Sequence, residues 1–161
     1  MRKNQLAIIV LLMLLSAVNA FGSRRPNVLI VLVDDLGYSD LGCYGSSIET
    51  PNIDSLASNG LRYSNFYNTG RCWTTRASLM TGLYQHQVGK AMSFGEKAPP
   101  AYQGNIPRDV PFLSELLQAE GYRTYHLGKW HLNSRFGEVE QSWPLGRGFE
   151  KSYCIVSQNN F

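Results

Sequence analysis

Residues 27–33 read NVLIVLV, and residues 34–37 continue as DDLG. An unbroken run of β-branched residues and leucine is typical of a strand that is covered on both faces, as in a parallel sheet. Asp34 and Asp35 follow this predicted strand directly. Because ligands of open α/β sheets bind beyond the carboxyl ends of the strands, we expect both carboxylates at a binding site. The stretch therefore predicts an α/β fold and one edge of its functional site.

Strand and helix patterns alternate through the rest of the chain. Thr50 and Pro51 suit the start of a helix, as a capping hydroxyl and a first-turn proline, and Gly60 suits its end. The other patterns predict a strand over residues 61–67, a helix that Thr74 or Thr75 caps and Gly82 ends, a long loop over 84–110, a helix over 110–121 and a strand over 122–127. This alternation indicates an α/β protein with a parallel or mixed sheet.

The amino terminus carries the pattern of a secretory signal. Arg2 and Lys3 precede an apolar run over residues 6–15, and the sequence VNA at 18–20 suits a signal peptidase. The run is shorter than the ~20 apolar residues that a membrane-spanning helix needs. We predict a signal peptide over residues 1–20, export to a periplasmic, secreted or lumenal location, and a mature domain over 21–161.

The charge balance excludes some classes of partner. Removing residues 1–20 takes away Arg2 and Lys3 and no acid, which lowers the formal net charge from +3 to +1. A chain so nearly neutral lacks the basic surface that binds nucleic acid or a membrane. We therefore expect neither as a partner.

Three cysteines, Cys43, Cys72 and Cys154, make an odd number in a compartment that permits disulfides. At most one pair can form, and Cys72 is the natural odd one out. Whether Cys43 and Cys154 meet stays open at this level.

The predicted sheet has three strands, whereas an average sheet has about 5–6. We expect the sequence to be the front part of a larger domain.

Three polar clusters lie at the ends of predicted strands or at the start of a helix. Because strand ends on one edge of a sheet converge, we expect the clusters to share one site. Acids, cations, a thiol and an imidazole together suit the processing of an anion better than they suit packing. The clusters are Asp34 with Asp35, Cys72 with Arg76, and Lys129 with His131.

Residues 70–82 read GRCWTTRASLMTG and place Cys72 just before a helix, where backbone N–H groups and the helix dipole favour an anion. Arg76, one turn later, suits bidentate binding of an oxyanion. Lys129 adds a point charge and His131 a proton carrier. Each residue taken singly also has an ordinary interpretation as a buried thiol, a solvated cation or a hydrogen-bonded histidine.

The adjacent carboxylates of Asp34 and Asp35 repel each other unless a cation neutralises them. A hard divalent ion with oxygen ligands, such as calcium or magnesium, does so. The alternative for the pair is a turn or a helix cap, which aspartate also favours.

Five segments of the sequence carry a family resemblance. The chain resembles the amino-terminal part of a sulfatase of the alkaline phosphatase superfamily, of the arylsulfatase kind. The resemblance implies an α/β sandwich with a mostly parallel central sheet flanked by helices, and makes residues 21–161 the front part of its catalytic domain. The matching segments are residues 26–45, 49–67, 71–89, 121–132 and 144–153.

The resemblance implies a nucleophile and a metal site. Cys72 would be oxidised by a maturase to formylglycine, whose hydrated aldehyde attacks sulfur and expels the alcohol or phenol. Asp34 and Asp35, with the modified Cys72, would bind calcium, or magnesium as the alternative ion. The substrate would be a sulfated small molecule or carbohydrate.

The resemblance also implies roles for the remaining cluster residues. Arg76 would steady the formylglycine, Lys129 would contact it and the sulfate, and His131 would be a base. The remaining metal ligands, a second histidine and a second lysine come later in such chains. His86 is interpreted as structural, while Trp73 suits either the substrate pocket or packing.

One residue departs from the family pattern. Thr74 stands where the family has proline or alanine, while Thr75 and Arg76 match.

The expected function is hydrolysis of sulfate esters. Two alternatives are a truncated or inactive homologue, and a phosphate monoester or diester hydrolase that uses Thr74 or an unmodified side chain.

Overall fold

A computed structural model describes residues 25–132 and 142–155. The chain divides into two units, of which the first ends at Gly37 and the second starts at Tyr38. The predicted signal peptide, and the boundary at residue 21, lie outside the described residues. They stay predictions.

Within the described residues, the second unit contains three α-helices and two β-strands: α1 (Pro51–Asn59), α2 (Cys72–Thr81), α3 (Leu113–Ala119), β1 (Tyr125–Lys129) and β2 (Lys151–Ile155). The two strands pair in parallel, with Tyr125 opposite Lys151 and Lys129 opposite Ile155. Short 3₁₀ turns cover Tyr38–Asp40, Gly42–Tyr44, Pro100–Tyr102 and Pro144–Arg147. Helices beside a parallel sheet confirm the predicted α/β class.

Two of the predicted strands are wrong. Residues 27–33 have irregular backbone, and their apolar side chains are exposed, with Leu29 reaching 87%. Residues 61–67 are also irregular. A strand needs a neighbour that takes its backbone hydrogen bonds, and within the described ranges neither stretch is paired in a sheet. The predicted strand at 122–127 is present but shifted to β1, and β2 was not predicted at all.

Helix α1 begins at Pro51 as predicted, but Thr50 does not cap it with its side chain. The Thr50 hydroxyl instead donates to Asp54 Oδ1 at 2.9 Å and accepts the Gly42 N–H at 2.8 Å. Asp54 Oδ1 also accepts the N–H of Cys43 at 2.7 Å. These bonds tie the first turn of α1 to the 3₁₀ turn Gly42–Tyr44.

The apolar core lies where α2, the start of α3 and the end of β1 meet. Trp130 is 2% exposed, and its ring centroid lies 5.9 Å from those of both Phe112 and Phe149. Its backbone N–H donates to Ile155 O at 2.8 Å, and its indole N–H donates to Ser142 O at 2.8 Å. The buried members of the core cluster are Ala77, Val88, Phe112, Trp130 and Leu132.

A buried arginine organises the other side of α3. Arg147 is 2% exposed, its guanidinium carbon lies 4.3 Å from the centroid of the Phe112 ring, and Glu115 Oε2 is 3.6 Å from its Nη1. Its terminal nitrogens donate at 2.9–3.4 Å to the carbonyl oxygens of Ile106, Pro107, Arg108 and Val110. One side chain therefore holds the end of the long loop against α3.

Replacing Arg147 by methionine should lower the free energy of unfolding by about 3 kcal/mol, because the four carbonyls lose their donors and Glu115 keeps only Arg108 as a cationic partner. The measurement is denaturant unfolding of the purified chain followed by circular dichroism. The control is Arg123→Met, since Arg123 is exposed and pairs with the carboxylate of Glu150 at the surface. Equal unfolding midpoints for the two variants would contradict the anchoring role of Arg147.

The long loop is held internally by Lys90. The side chain is 4% exposed, and its Nζ donates to Gly104 O at 2.6 Å. The backbone supports the same closure, since Gly104 N donates to Gly89 O at 2.7 Å. Burial lowers the pKa of Lys90 from its ordinary 10.5 to about 8, because the charged form has left water.

The burial of Lys90 predicts a pH dependence of stability. Between pH 8 and pH 10 the unfolded chain keeps the Lys90 proton that the folded chain has lost, so stability rises with pH, by about 2 kcal/mol. The check is denaturant unfolding of the natural chain and of Lys90→Met across this pH range. The difference between them should grow as stated, because other titrations cancel; a constant difference would contradict the shift.

Candidate functional site

The turn before α2 is built from short polar side chains. Gly70 N donates to Asn68 Oδ1 at 2.8 Å, and Thr69 N donates to Thr75 Oγ1 at 3.2 Å. The helix then begins at Cys72, before the predicted cap at Thr74 or Thr75, and Arg71 is its extended N-cap residue. Cys72 is therefore the first residue of the helix, where orphan N–H groups favour an anion.

Thr74, the residue that departs from the family pattern, supports this turn from inside. It is 3% exposed, and its hydroxyl donates to carbonyl oxygens of the turn, Thr69 O at 3.0 Å and Arg71 O at 2.9 Å. Its hydroxyl is therefore occupied and enclosed.

The opposite side of the site comes from the end of β1. Lys129 is the last residue of the strand, and the buried Trp130 separates it from His131. His131 has φ of 56°, a left-handed conformation that costs a non-glycine residue about 1–2 kcal/mol. The hydrogen bond of Trp130 N to Ile155 O and the packing of its ring hold the backbone on either side.

The structure brings Cys72 and His131 together across 59 positions of sequence. Cys72 Sγ lies 3.3 Å from His131 Nδ1, and both residues are half-buried. The ring of Trp73 stands edge-on to the imidazole, with 5.4 Å between the ring centroids. The side chain of residue 72 and the imidazole of His131 are therefore close enough to exchange a proton.

Arg76 and Lys129 also meet. Arg76 lies one turn after Cys72, and its Nη1 donates to the backbone carbonyl of Lys129 at 2.6 Å. Both residues are half-buried. The bond attaches helix α2 to the end of β1 directly beside the contact between Cys72 and His131. Four of the predicted site residues, Cys72, Arg76, Lys129 and His131, thus lie along one seam between two elements.

His126 is a residue of this region that the sequence did not single out. It is half-buried, its ring packs 5.1 Å from that of Trp130, and its Nδ1 lies 3.4 Å from Ser152 Oγ. Burial is the main cause that lowers its pKa, the charge of Arg76 adds to the effect, and a backbone hydrogen bond at Lys129 opposes it. A neutral imidazole therefore lies close to the arginine. Side chains alternate between the two faces of a strand, and this alternation between His126 and Leu127 of β1 was the signal available in the sequence.

Asp34 and Asp35 belong to the first unit. They lie in a bend after the exposed apolar stretch, both are exposed, and Asp35 has φ of 56°. Within residues 25–132 and 142–155, no three His, Cys, Asp or Glu side chains form a group that could hold a metal ion. The two carboxylates are the donors that calcium prefers, but the described residues do not complete a ligand set. A site shared with Cys72 stays a prediction.

The other residues named from the sequence have structural surroundings. The exposed ring of His86 stands edge-on to Tyr102, with 5.9 Å between centroids. Cys43, Cys72 and Cys154 are all free thiols. The question of a pair between Cys43 and Cys154 is thereby answered for this structure: they are not joined.

Comparison with known proteins identifies the family. A family model described as Sulfatase matches residues 26–159. The chain belongs to the sulfatase family. It is 41% identical to human arylsulfatase A over 131 residues, which are 80% of this chain and 25% of that protein. It is 40% identical to human N-acetylgalactosamine-6-sulfatase over 134 residues, again 80% of this chain and 25% of that protein.

Solved structures with a similar fold are found as well. The chain is 38% identical in sequence to the protein in the crystal structure of Ps i-CgsB. The TM-score is 0.70 over 83% of this chain and 29% of that one. Ps i-CgsB in complex with k-i-k-neocarrahexaose is 39% identical, with a TM-score of 0.62 over 77% of this chain and 26% of that one. The chain thus spans about a quarter of the length of the curated relatives that it matches.

None of the helices in the described part of this sulfatase is long and apolar enough to cross a membrane.

The enclosure of Thr74 predicts a structural role for its hydroxyl. Thr74→Val keeps the shape but leaves the carbonyls of Thr69 and Arg71 without that donor, and should lower the free energy of unfolding by about 1–2 kcal/mol. Thr74→Ser keeps the hydroxyl and is the matched control, with a smaller loss. Denaturant unfolding monitored by circular dichroism measures both. A valine variant as stable as the natural chain would show that the hydroxyl contributes nothing.

Proposed function

We propose that the protein is a sulfuric ester hydrolase of the arylsulfatase kind whose nucleophile derives from Cys72. The observation that carries the proposal is the 3.3 Å approach of Cys72 Sγ to His131 Nδ1 at the first residue of a helix. Membership of the sulfatase family supports the substrate class, since its relatives include arylsulfatases.

We assign one task to each residue of the seam, and that of the Lys129 side chain rests on its charge. His131, whose Nδ1 lies 3.3 Å from Cys72 Sγ, takes or returns a proton at the side chain of residue 72. Arg76 keeps the start of α2 against β1 through the carbonyl of Lys129, so the position of residue 72 relative to His131 is set by that bond. Lys129 supplies a cation for the negative charge of the sulfate group.

The natural form of residue 72 is proposed to be formylglycine, made from Cys72 by a formylglycine-generating maturase. The modification supplies a hydrated aldehyde as the nucleophile. The surroundings fit it, because the side chain of residue 72 is half-buried beside an imidazole and at a helix start that favours oxygen anions.

Asp34 and Asp35 are proposed to contribute two ligands to a calcium ion, with magnesium as the alternative. Their carboxylates are adjacent and exposed, and hard cations prefer such oxygen ligands. The resemblance to sulfatases implies a divalent cation, and the chain covers 25% of human arylsulfatase A, so the parts of such proteins outside the match would supply the other ligands.

The substrate is proposed to be a sulfated small molecule or carbohydrate, and the protein to be exported. One structural relative is solved in complex with k-i-k-neocarrahexaose, an oligosaccharide, which supports the carbohydrate alternative. Export rests on the signal pattern over residues 1–20.

A phosphate-ester hydrolase with Thr74 as nucleophile is disfavoured. That hydroxyl is 3% exposed and donates to backbone carbonyls, so it is not available to attack a substrate. An inactive homologue remains the competing interpretation, and the state of residue 72 separates it from the proposal.

Mass spectrometry of the tryptic peptide of residues 72–76 tests the modification. When the chain is co-expressed with a formylglycine-generating enzyme, we expect an aldehyde at residue 72. Thr74→Pro restores the family motif and should raise the aldehyde fraction, while Cys72→Ala should give none. An intact thiol in both the natural chain and Thr74→Pro would contradict the proposal. Release of sulfate from a chromogenic aryl sulfate, with an aryl phosphate as the comparison substrate, then tests the reaction itself.

A further inference from the structure

None of the roles above uses the side chain of Arg71, a neighbour in sequence of the proposed nucleophile. It precedes Cys72 directly and serves as the N-cap residue of α2. Its guanidinium carbon lies 5.1 Å from the centroid of the Trp73 ring, and its Nη1 approaches Met92 Sδ at 3.9 Å. The residue as a whole is exposed. The cation is therefore held at the rim of the site by an aromatic ring and a thioether.

The partners of Arg71 leave its charge uncompensated. An aromatic face and a sulfur atom orient a guanidinium, but neither carries a negative charge. The ion pairs of Arg108, Arg123 and Arg147 go to Glu115 or Glu150, and Arg71 is not part of them. By contrast, Arg76 turns inward to the carbonyl of Lys129. The start of α2 thus presents one arginine to the seam and one to solvent.

Trp73 connects the outer arginine to the reacting position. The same ring that lies under Arg71 stands 5.4 Å from the His131 ring, edge-on. A substrate whose sulfate lies at residue 72 would therefore have its neighbouring atoms beside Trp73 and Arg71. A guanidinium offers a planar pair of donors that matches the oxygens of a second sulfate group.

We propose that Arg71 is a specificity-determining residue that binds a second sulfate group of a multiply sulfated carbohydrate, while the first sulfate lies at residue 72. The inference rests on the proposed sulfatase function and narrows its substrate class. The contacts with Trp73 and Met92 pre-orient the side chain, so less side-chain entropy is lost when the second sulfate binds.

The test compares two probes by isothermal titration calorimetry of the purified chain. One probe is a galactose disaccharide with one sulfate on each ring, and the other is the same disaccharide with a single sulfate. The natural chain should bind the first about tenfold more tightly, as expected of one charge-assisted bidentate contact at an exposed position. Arg71→Gln should bring the two affinities to within about twofold, and Arg71→Lys should keep part of the preference.

Arg62→Gln is the matched control. Arg62 is also an exposed arginine over an aromatic ring, with its guanidinium carbon 5.4 Å from the centroid of Tyr44. Arg62→Gln removes the same charge as Arg71→Gln, but Arg62 has no part in the proposed contact. The tenfold preference should therefore stay unchanged. Circular dichroism checks that each variant is folded.

The outcomes separate this inference from the proposed function. Equal binding of both probes by the natural chain, binding of neither, or an unchanged preference in Arg71→Gln overturns the role of Arg71. Sulfate release from an aryl sulfate, measured separately, decides the hydrolase proposal. An Arg71-dependent preference without sulfate release would contradict the hydrolase proposal and still support the binding role of Arg71.

Discussion

Trp130 is buried with both of its N–H groups bonded, one to Ile155 O and one to Ser142 O. Its neighbours in sequence are the two residues that face helix α2: the carbonyl of Lys129 accepts from Arg76, and the imidazole of His131 contacts Cys72. Because a packed indole leaves little freedom to the residues on either side, the geometry of the site follows from core packing. The packing of Trp130 also maintains the left-handed backbone conformation of His131.

The start of α2 leaves Cys72 at the first position of a helix whose N-cap residue, Arg71, makes no side-chain capping bond. The turn uses the hydroxyls of Thr74 and Thr75 for its own carbonyl and N–H groups. The first N–H groups of the helix therefore stay available to a ligand at Cys72. Arg71 and Arg76 then extend in different directions from the two ends of one turn, toward Met92 and Lys129 respectively.

The helices were more predictable than the strands, and the reason is physical. Pro51 and Gly60 mark α1, and Gly82 in its left-handed conformation ends α2, because these signals act within one turn of the chain. A strand depends on a partner that is distant in sequence. The apolar pattern at 27–33 therefore led to a strand that is not formed, while β2 escaped notice although it pairs with β1 along its whole length.

By itself the sequence determined the chemical groups, their order and the family: a thiol at the start of a helix, an arginine one turn later, and a lysine and histidine at the end of a strand. Only the tertiary structure decided that Cys72 and His131, 59 residues apart, lie in contact, and that Thr74 is enclosed while Arg71 is exposed. Periodicity and capping report on neighbours within a few residues. Contacts over longer separations depend on how the buried side chains around Trp130 pack, which no local pattern encodes.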